Sequence, residues 1–175
     1  ALNTYSKPSQ EDNYKFIIYL YLGKYEHCLE NCIRRAYRDS CRRLDGISKF
    51  PQKIALKQES SKLLKSGIEL IRNSTSTLNQ SQFDNWHRDQ CLNLQKCFYD
   101  FGFRTFTIGH AQKWINMTFK YIFVYGEQRL PGFEGLYPIL HVPIDTIMIE
   151  RFKTLGAPKL STSWSRINSY DEYMR

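Results

Sequence analysis

Apolar residues recur at every third or fourth position along most of the chain, a spacing typical of helices with one buried face. The first such run covers 11–44, and Gly23 is predicted to divide it into two helices. A turn at 45–51 separates this run from a helix at 52–72. Later helices are predicted at 83–101, at about 110–125, at 142–156 with Pro143 at its start, and within 161–175. No strand-like alternation persists, so the sequence predicts an all-α fold.

The stretch Asn73–Ser81 is polar and rich in helix-capping residues, which marks it as the clearest connection between helices. The 175 residues have the length of one domain. We therefore expect a single compact multi-helix bundle over 1–175. A variant of this arrangement has two helical lobes, 11–72 and 81–175, joined by a linker at 73–80.

The composition indicates a globular and basic protein. Hydrophobic residues make up 42% of the chain and aromatic residues 15%, more than a disordered chain carries. The net charge of +8 favours an anionic partner, with DNA preferred and RNA as the alternative. Arginines cluster near the end of the first run, where they would either complement a helix C-terminus or contact phosphates: Arg35, Arg38 and Arg42 are the expected contacts.

The sequence lacks the motifs that are typical of several classes of protein. No apolar run reaches the roughly 18 residues that span a bilayer, so we expect no membrane partner. The chain has no glycine-rich phosphate loop, HExxH or Cys-x-x-Cys, so we expect no cofactor and no metal site. The five cysteines lack disulfide or zinc spacing and indicate a reducing cytoplasm. Cys28 and Cys32, one helical turn apart, are expected in the core.

The stretch TIGHAQKWINMTFKYIF, residues 107–123, has two interpretations. In the first, a Gly-His-Ala turn leads into a core helix whose polar side chains form a solvent-exposed face: Gln112, Lys113, Asn116 and Lys120. In the second, Lys113 has a chemical role. A lysine that loses hydration against a helix bundle favours its neutral, nucleophilic amine.

Two short motifs support the second interpretation. GHAQKWIN (109–116) is followed downstream by VPIDTIM (142–148). This pair resembles the G-x-G-x-K-x-x-N hairpin and the V-P-V-D-T-H-V segment of the helix-hairpin-helix DNA glycosylase superfamily, which includes endonuclease III-like and 8-oxoguanine glycosylase-like enzymes. Ala111 stands where that family has its second glycine, and Ile147 replaces a histidine. The resemblance covers 107–156, under a third of the chain.

The resemblance implies base-excision chemistry with Lys113 as nucleophile and Asp145 as the assisting carboxylate. In bifunctional members, the amine attacks the sugar carbon of a flipped-out nucleotide, and a Schiff base and strand cleavage follow. The carboxylate assists departure of the base and stabilises positive charge on the sugar. The family's hairpin binds a DNA phosphate through backbone N–H groups, which implies DNA contacts at Gly109, His110, Ala111, Gln112 and Asn116.

Two other functions remain open at this point. Arg104 and His110 have the R-x5-H spacing of HEPN-type ribonucleases, which are metal-independent all-α enzymes of bacterial defence and toxin systems. Their arginine and histidine would act on an RNA phosphate and the adjacent 2′-hydroxyl. The third interpretation is a non-enzymatic basic helical module that binds nucleic acid through its positive charge.

Overall fold

The computed structural model describes residues 7–41, 44–73, 78–156 and 162–175. These residues form helices and loops and contain no β-strand, which confirms the all-α prediction. The α-helices are α1 (Gln10–Leu22), α2 (Cys28–Cys41), α3 (Lys53–Arg72), α4 (Gln80–Asp100), α5 (Ile108–Tyr125), α6 (Thr146–Thr154) and α7 (Tyr170–Met174). Short 3-10 turns lie at Tyr25–His27, Ile47–Lys49, Glu134–Ile139 and Trp164–Arg166. None of the helices in these ranges is long and apolar enough to cross a membrane.

Helix α5 is the central element of the fold. Thirteen of its 18 residues are buried, so neighbours cover it on several sides. It packs against α2, α4 and the 3-10 turn at 164–166. The indole of Trp114 lies in the core and donates its N–H to the carbonyl of Ile33 on α2 at 3.0 Å, which satisfies the polar group of this buried side chain.

The sequence explains where α5 begins. Thr107 is its N-cap, and its hydroxyl accepts the amide of His110 at 3.3 Å. The Gly-His-Ala segment is therefore the first turn of the helix, and the expectation that it forms a preceding turn is wrong. The chain turns earlier, at Gly102, which has a positive φ of 85°.

The expected solvent-exposed face of α5 is also wrong for most of its residues. Gln112 and Asn116 are fully buried, and Lys113 is largely covered. Lys120 is the one of the four polar side chains that is exposed. The reason is tertiary, because the chain returns after α5 and covers this face with residues from 142–145 and from the C-terminal segment.

Other boundaries agree with the helical periodicity. Gly23, with a φ of 100°, separates α1 from α2 as predicted.

The start of α6 differs from the prediction. Helix α6 begins at Thr146 with Asp145 as its N-cap, so the predicted start at Pro143 is wrong. Pro143 instead lies in an extended segment. Arg42 and half of the predicted linker, 74–77, lie outside the described residues.

A loop brings the chain from the end of α5 back to its side. The carboxylate of Glu127 accepts the backbone amides of Gly132 and Phe133 at 2.6 and 2.8 Å. The hydroxyl of Tyr137 donates to the same carboxylate at 3.1 Å. These bonds satisfy backbone amides of the loop, which have no partner within a helix. They also direct the chain into the 140–145 segment beside α5.

Two leucines of α4 provide a matched test of the core. Leu94 is fully buried and Leu92 is 46% exposed. Leu94→Ala should lower the free energy of unfolding by about 2–5 kcal/mol, because it removes buried methyl groups and leaves a cavity. Leu92→Ala should change it by less than about 1 kcal/mol. Urea unfolding followed by circular dichroism measures both values, and similar losses for the two variants would contradict the packing described here.

Candidate functional site

A cavity of about 380 Å³ lies where α2, α5 and the start of α6 meet the 3-10 turn at 164–166. Lys113 and Asp145, the two residues predicted to act together, both line it. Its remaining lining residues are Asp39, Ser40, Thr146, Ile147 and Trp164. The fold therefore brings together two side chains that lie 32 positions apart in the sequence.

Lys113 and Asp145 form a close ion pair. Lys113 Nζ lies 3.1 Å from Asp145 Oδ2, and the two side chains are only 11% and 23% exposed. The ammonium also lies over the ring of Trp164, 4.6 Å from its centroid. The two groups thus neutralise each other at the cavity wall.

The backbone of α6 holds the carboxylate of Asp145 in a defined orientation. Its Oδ1 accepts the amide of Met148 at 3.1 Å, as expected for a helix N-cap. Burial alone would raise the pKa of this carboxyl, but the Met148 amide and the Lys113 ammonium outweigh burial and lower the pKa below its ordinary value. Asp145 is therefore ionised at neutral pH, with one oxygen bonded to the helix and the other directed to the lysine.

The segment before Asp145 is fixed by two buried amides of α5. Gln112 Nε2 donates to the carbonyl of Ile144 at 3.0 Å, and the amide of Ile144 donates back to Gln112 Oε1 at 3.3 Å. Asn116 Nδ2 donates to the carbonyl of Val142 at 3.2 Å. Gln112 and Asn116 also bond to each other at 3.1 Å. The amides of one sequence motif therefore hold the backbone of the other.

This polar network continues into α4 and α7. The ring of His87 bonds to Asn116 Oδ1 through Nε2 and to the hydroxyl of Tyr170 through Nδ1, both at 2.9 Å. The hydroxyl of Tyr173 lies 3.0 Å from Asn116 Nδ2, whose two hydrogens are shared among this hydroxyl, Gln112 Oε1 and the Val142 carbonyl. Burial, with a smaller effect of the neighbouring His141, lowers the pKa of His87 to about 3. The hydrogen-bond network beside the site therefore contains a neutral histidine.

Gly109 is explained by a close backbone approach. A Cβ added at this position would lie 1.8 Å from the carbonyl oxygen of Trp164, so only glycine leaves room for the C-terminal segment. The Gly109 amide donates to the carbonyl of Ile167 at 2.9 Å. The amides of His110 and Ala111 are bonded to Thr107. Each of these three amides already has a partner, whereas the predicted contact with a DNA phosphate requires free ones.

The five residues expected to contact DNA from the hairpin motif therefore have another environment. Gly109, His110, Ala111, Gln112 and Asn116 are all buried. They bond to or pack against the C-terminal segment and the 142–144 backbone, and they form part of the polar network. In this structure they position the cavity wall instead of forming its surface.

His110 packs beneath the cavity. Its Nδ1 lies 2.8 Å from the hydroxyl of Thr107, and its ring packs edge-on to Trp164 at 5.6 Å between centroids. Burial, followed by the charge of Lys113, lowers the pKa of His110 to about 4, so the ring is neutral at pH 7. Arg104, its proposed partner in an RNA-cleaving pair, is exposed and lies over the ring of Tyr99. The two side chains thus have different surroundings.

Two arginines of the predicted patch, Arg35 and Arg38, lie on α2, the helix that also supplies Asp39 to the cavity. Arg35 pairs with Asp39 at 3.3 Å and packs over the ring of Tyr21. Asp39 also accepts the hydroxyl of Tyr121. Arg38 is exposed. Arg35 is thus partly neutralised within the protein, and Arg38 presents its charge to solvent.

Cysteine and histidine chemistry does not form a second centre among the described residues. All five cysteines are free. No group of three metal-ligating side chains comes together within the described ranges. His141 bonds to Asp84 through Nε2 and to Tyr173 through Nδ1, so it belongs to the polar network beside the site.

Sequence reasoning missed part of the cavity wall. Asp39 and Ser40 lie at the basic end of α2, where only the arginines have a predicted role. Trp164 comes from a segment with no recognisable motif, and its indole N–H donates to Thr146 at 3.2 Å. The sequence does contain one indication of Trp164, which is a tryptophan among four serines and threonines within 161–165. Such a side chain combines a large apolar ring with an N–H that needs a partner, which suits the wall of a partly polar cavity. Comparison with protein families, characterised proteins and solved structures found no match for this chain.

The depressed pKa of His110 predicts a pH dependence of stability. Because the folded pKa, about 4, lies below the ordinary value of 6.5, the stabilising contribution is complete above 6.5 and is lost as pH falls towards 4. The loss amounts to about 3 kcal/mol. His110→Gln should reduce the slope of unfolding free energy over this range, measured by urea unfolding. His27→Gln, at an exposed histidine, is the control, and equal slopes in the His110 variant and the wild type would contradict the prediction.

Gln112 is predicted to be a positioning residue for Asp145. Gln112→Leu leaves the N–H and C=O of Ile144 without their partner, which should cost about 3 kcal/mol of unfolding free energy. It should also accelerate hydrogen exchange at the Met148 amide, because the cap of α6 depends on the position of the preceding segment. Gln128→Leu, at an exposed glutamine, should change neither quantity. Unchanged exchange at Met148 in the Gln112 variant would show that Asp145 is held by other contacts.

Proposed function

We propose that the protein is a DNA glycosylase-like enzyme that acts on a flipped-out nucleotide in the cavity beside Lys113 and Asp145. The observation that carries this proposal is the 3.1 Å contact between Lys113 Nζ and Asp145 Oδ2 at the wall of that cavity. The cavity volume of about 380 Å³ is within the range of small-ligand sites.

The environment of the pair supports a chemical role. Removing two charges from water often costs more free energy than their mutual attraction returns. A largely buried ion pair therefore often contributes little to the stability of the fold. Here both residues also line a cavity, so the pair is partly accessible from it. Asp145 has a lowered pKa and lines the cavity, and titratable groups with shifted pKa values in a cleft are candidates for catalysis.

In the proposed reaction, the two groups have the roles that the resemblance to the glycosylases implies. After the ammonium of Lys113 loses a proton, its amine attacks the sugar carbon that bears the base, and a carbon–nitrogen bond forms. The bond between that carbon and the base breaks, and its electron pair leaves with the base. The departing base takes up the proton that Lys113 loses. Asp145 lies within one hydrogen bond of the amine and stays ionised, so its carboxylate stabilises the positive charge that develops on the sugar.

The charge distribution supports DNA as the substrate. The net charge of +8 attracts a polyanion, and Arg38 is exposed on the helix that supplies Asp39 to the cavity. A base inside a duplex cannot reach Lys113, so the nucleotide has to leave the stack, and the ring of Trp164 provides an apolar surface for it. An enzyme of this kind would act in the reducing cytoplasm, where its five free cysteines stay unpaired.

Borohydride trapping tests the proposal. The protein is incubated with duplex oligonucleotides that carry an abasic site, uracil, 8-oxoguanine or an alkylated base, and a covalent complex is expected with at least one of them. Lys113→Arg should abolish trapping while it keeps the charge beside Asp145, because a guanidinium does not form a Schiff base. Lys120→Arg, on an exposed position of the same helix, should trap like the wild type.

Asp145→Asn separates catalysis from binding. This variant should release base at least about a hundredfold more slowly, because the side-chain amide has no negative charge with which to stabilise the sugar cation. Its affinity for the oligonucleotide should change little. Absence of both trapping and base release on the whole panel would refute the proposal. RNA cleavage that is lost in His110→Ala would favour the ribonuclease, and salt-dependent binding without turnover would favour the binding module.

A further inference from the structure

A second and larger cavity lies on another side of α2. It forms an open groove of about 810 Å³ between α2 and α3 and shares no lining residue with the Lys113 cavity. Its lining residues on α3 recur from Lys53 to Lys65. At 1.5 Å per residue the groove is about 18 Å long, the length of three helical turns.

The floor of the groove is apolar. Ile33 and Tyr37 line it from α2, and Ile47 and Ile54 line it from the other side. Ile54 is 68% exposed, so it presents apolar surface to solvent at the groove. An apolar surface of this kind gains free energy when another apolar surface covers it.

The rim of the groove is strongly basic. The cationic side chains are Arg34, Lys53, Lys57, Lys62 and Lys65, with His27 at one end. Glu30 is the one carboxylate in the lining, and it already bonds to Lys65 at 2.6 Å. The groove thus has a net positive charge that favours an acidic occupant.

The details favour a peptide over a nucleic acid. A nucleic-acid groove offers cations to phosphates and free aromatic faces to bases. Among the described lining residues, Tyr37 is the one Phe, Tyr or Trp, and its ring packs edge-on against Trp114 with centroids 4.9 Å apart, with Lys57 over it at 5.2 Å. The isoleucines of the floor give nothing to a phosphate, whereas they match the apolar side of an amphipathic segment.

We propose that the α2–α3 groove binds an acidic amphipathic segment of a partner protein. Its apolar side chains lie on Ile47 and Ile54, above the buried Ile33, and its carboxylates pair with the lysines of the rim. This is the helix-in-groove mode of recognition, with apolar anchors spaced at three and four residues. The inference is independent of the proposed enzymatic activity, because the two sites have no residue in common.

Selection from a displayed library of random peptides of about 14 residues tests this inference without a chosen ligand. The full chain serves as the target. Enriched peptides should be rich in Glu and Asp and should carry apolar residues at three- and four-residue spacing. A synthetic peptide of the enriched sequence is then titrated by fluorescence anisotropy, together with a scrambled peptide of the same composition.

Two double variants with the same changes in charge locate the binding. Ile54→Glu with Lys62→Glu alters the groove at two exposed positions and should weaken the peptide at least about tenfold. Leu92→Glu with Lys96→Glu makes the same changes on α4, also at exposed positions, and should leave the affinity within about twofold. Circular dichroism confirms that both variants fold.

The contrary outcomes are equally specific. Failure to enrich an acidic amphipathic pattern, or equal effects of the two double variants, overturns the inference. Equal binding of the scrambled peptide shows attraction by charge alone and also overturns it. Single-stranded DNA that binds the wild type and loses affinity only in the groove variant would assign the groove to nucleic acid instead.

Discussion

The side chain of Gln112 makes the hydrogen bonds on which the candidate site depends. A fully buried primary amide has two donors and an acceptor to satisfy, and here the backbone of Gly109, the backbone of Ile144 and the amide of Asn116 satisfy them. Leaving these groups unpaired in the interior would cost several kcal/mol, so the 142–144 segment has one favourable position. Asp145 is the next residue, and its place opposite Lys113 follows from that position.

The same constraint explains why a polar helix face lies in the core. Gln112 and Asn116 on α5 and His87 on α4 carry enough donors and acceptors to pair with one another, with backbone carbonyls and with the tyrosines of α7. A fully paired network of this kind fixes one arrangement, because each alternative breaks several bonds at once. Lys113 projects from the edge of this network into the cavity, where its charge meets Asp145 and the ring of Trp164.

Periodicity predicted the helices well and predicted their surroundings less well. The apolar spacing gave the α-helical class, the break at Gly23 and the position of α5, because these depend on residues close in sequence. The burial of Gln112 and the placement of Trp164 depend on segments some 30 to 50 positions away, which a local pattern does not contain. The juxtaposition of Lys113 and Asp145 was predictable only through the pairing of two motifs, and the role of Gly109 required the position of the Trp164 carbonyl.

The contact between Gly109 and the 164–167 backbone has a consequence for the order of folding. During synthesis α5 emerges from the ribosome about 50 residues before the segment that packs on its first turn. Until Ile167 and the tyrosines of α7 arrive, the Gly109 amide, the Nδ1 of His87 and one contact of the Asn116 amide lack their partners. The apolar side of the bundle can therefore assemble first, and the lysine–aspartate pocket is completed in a late, non-local step.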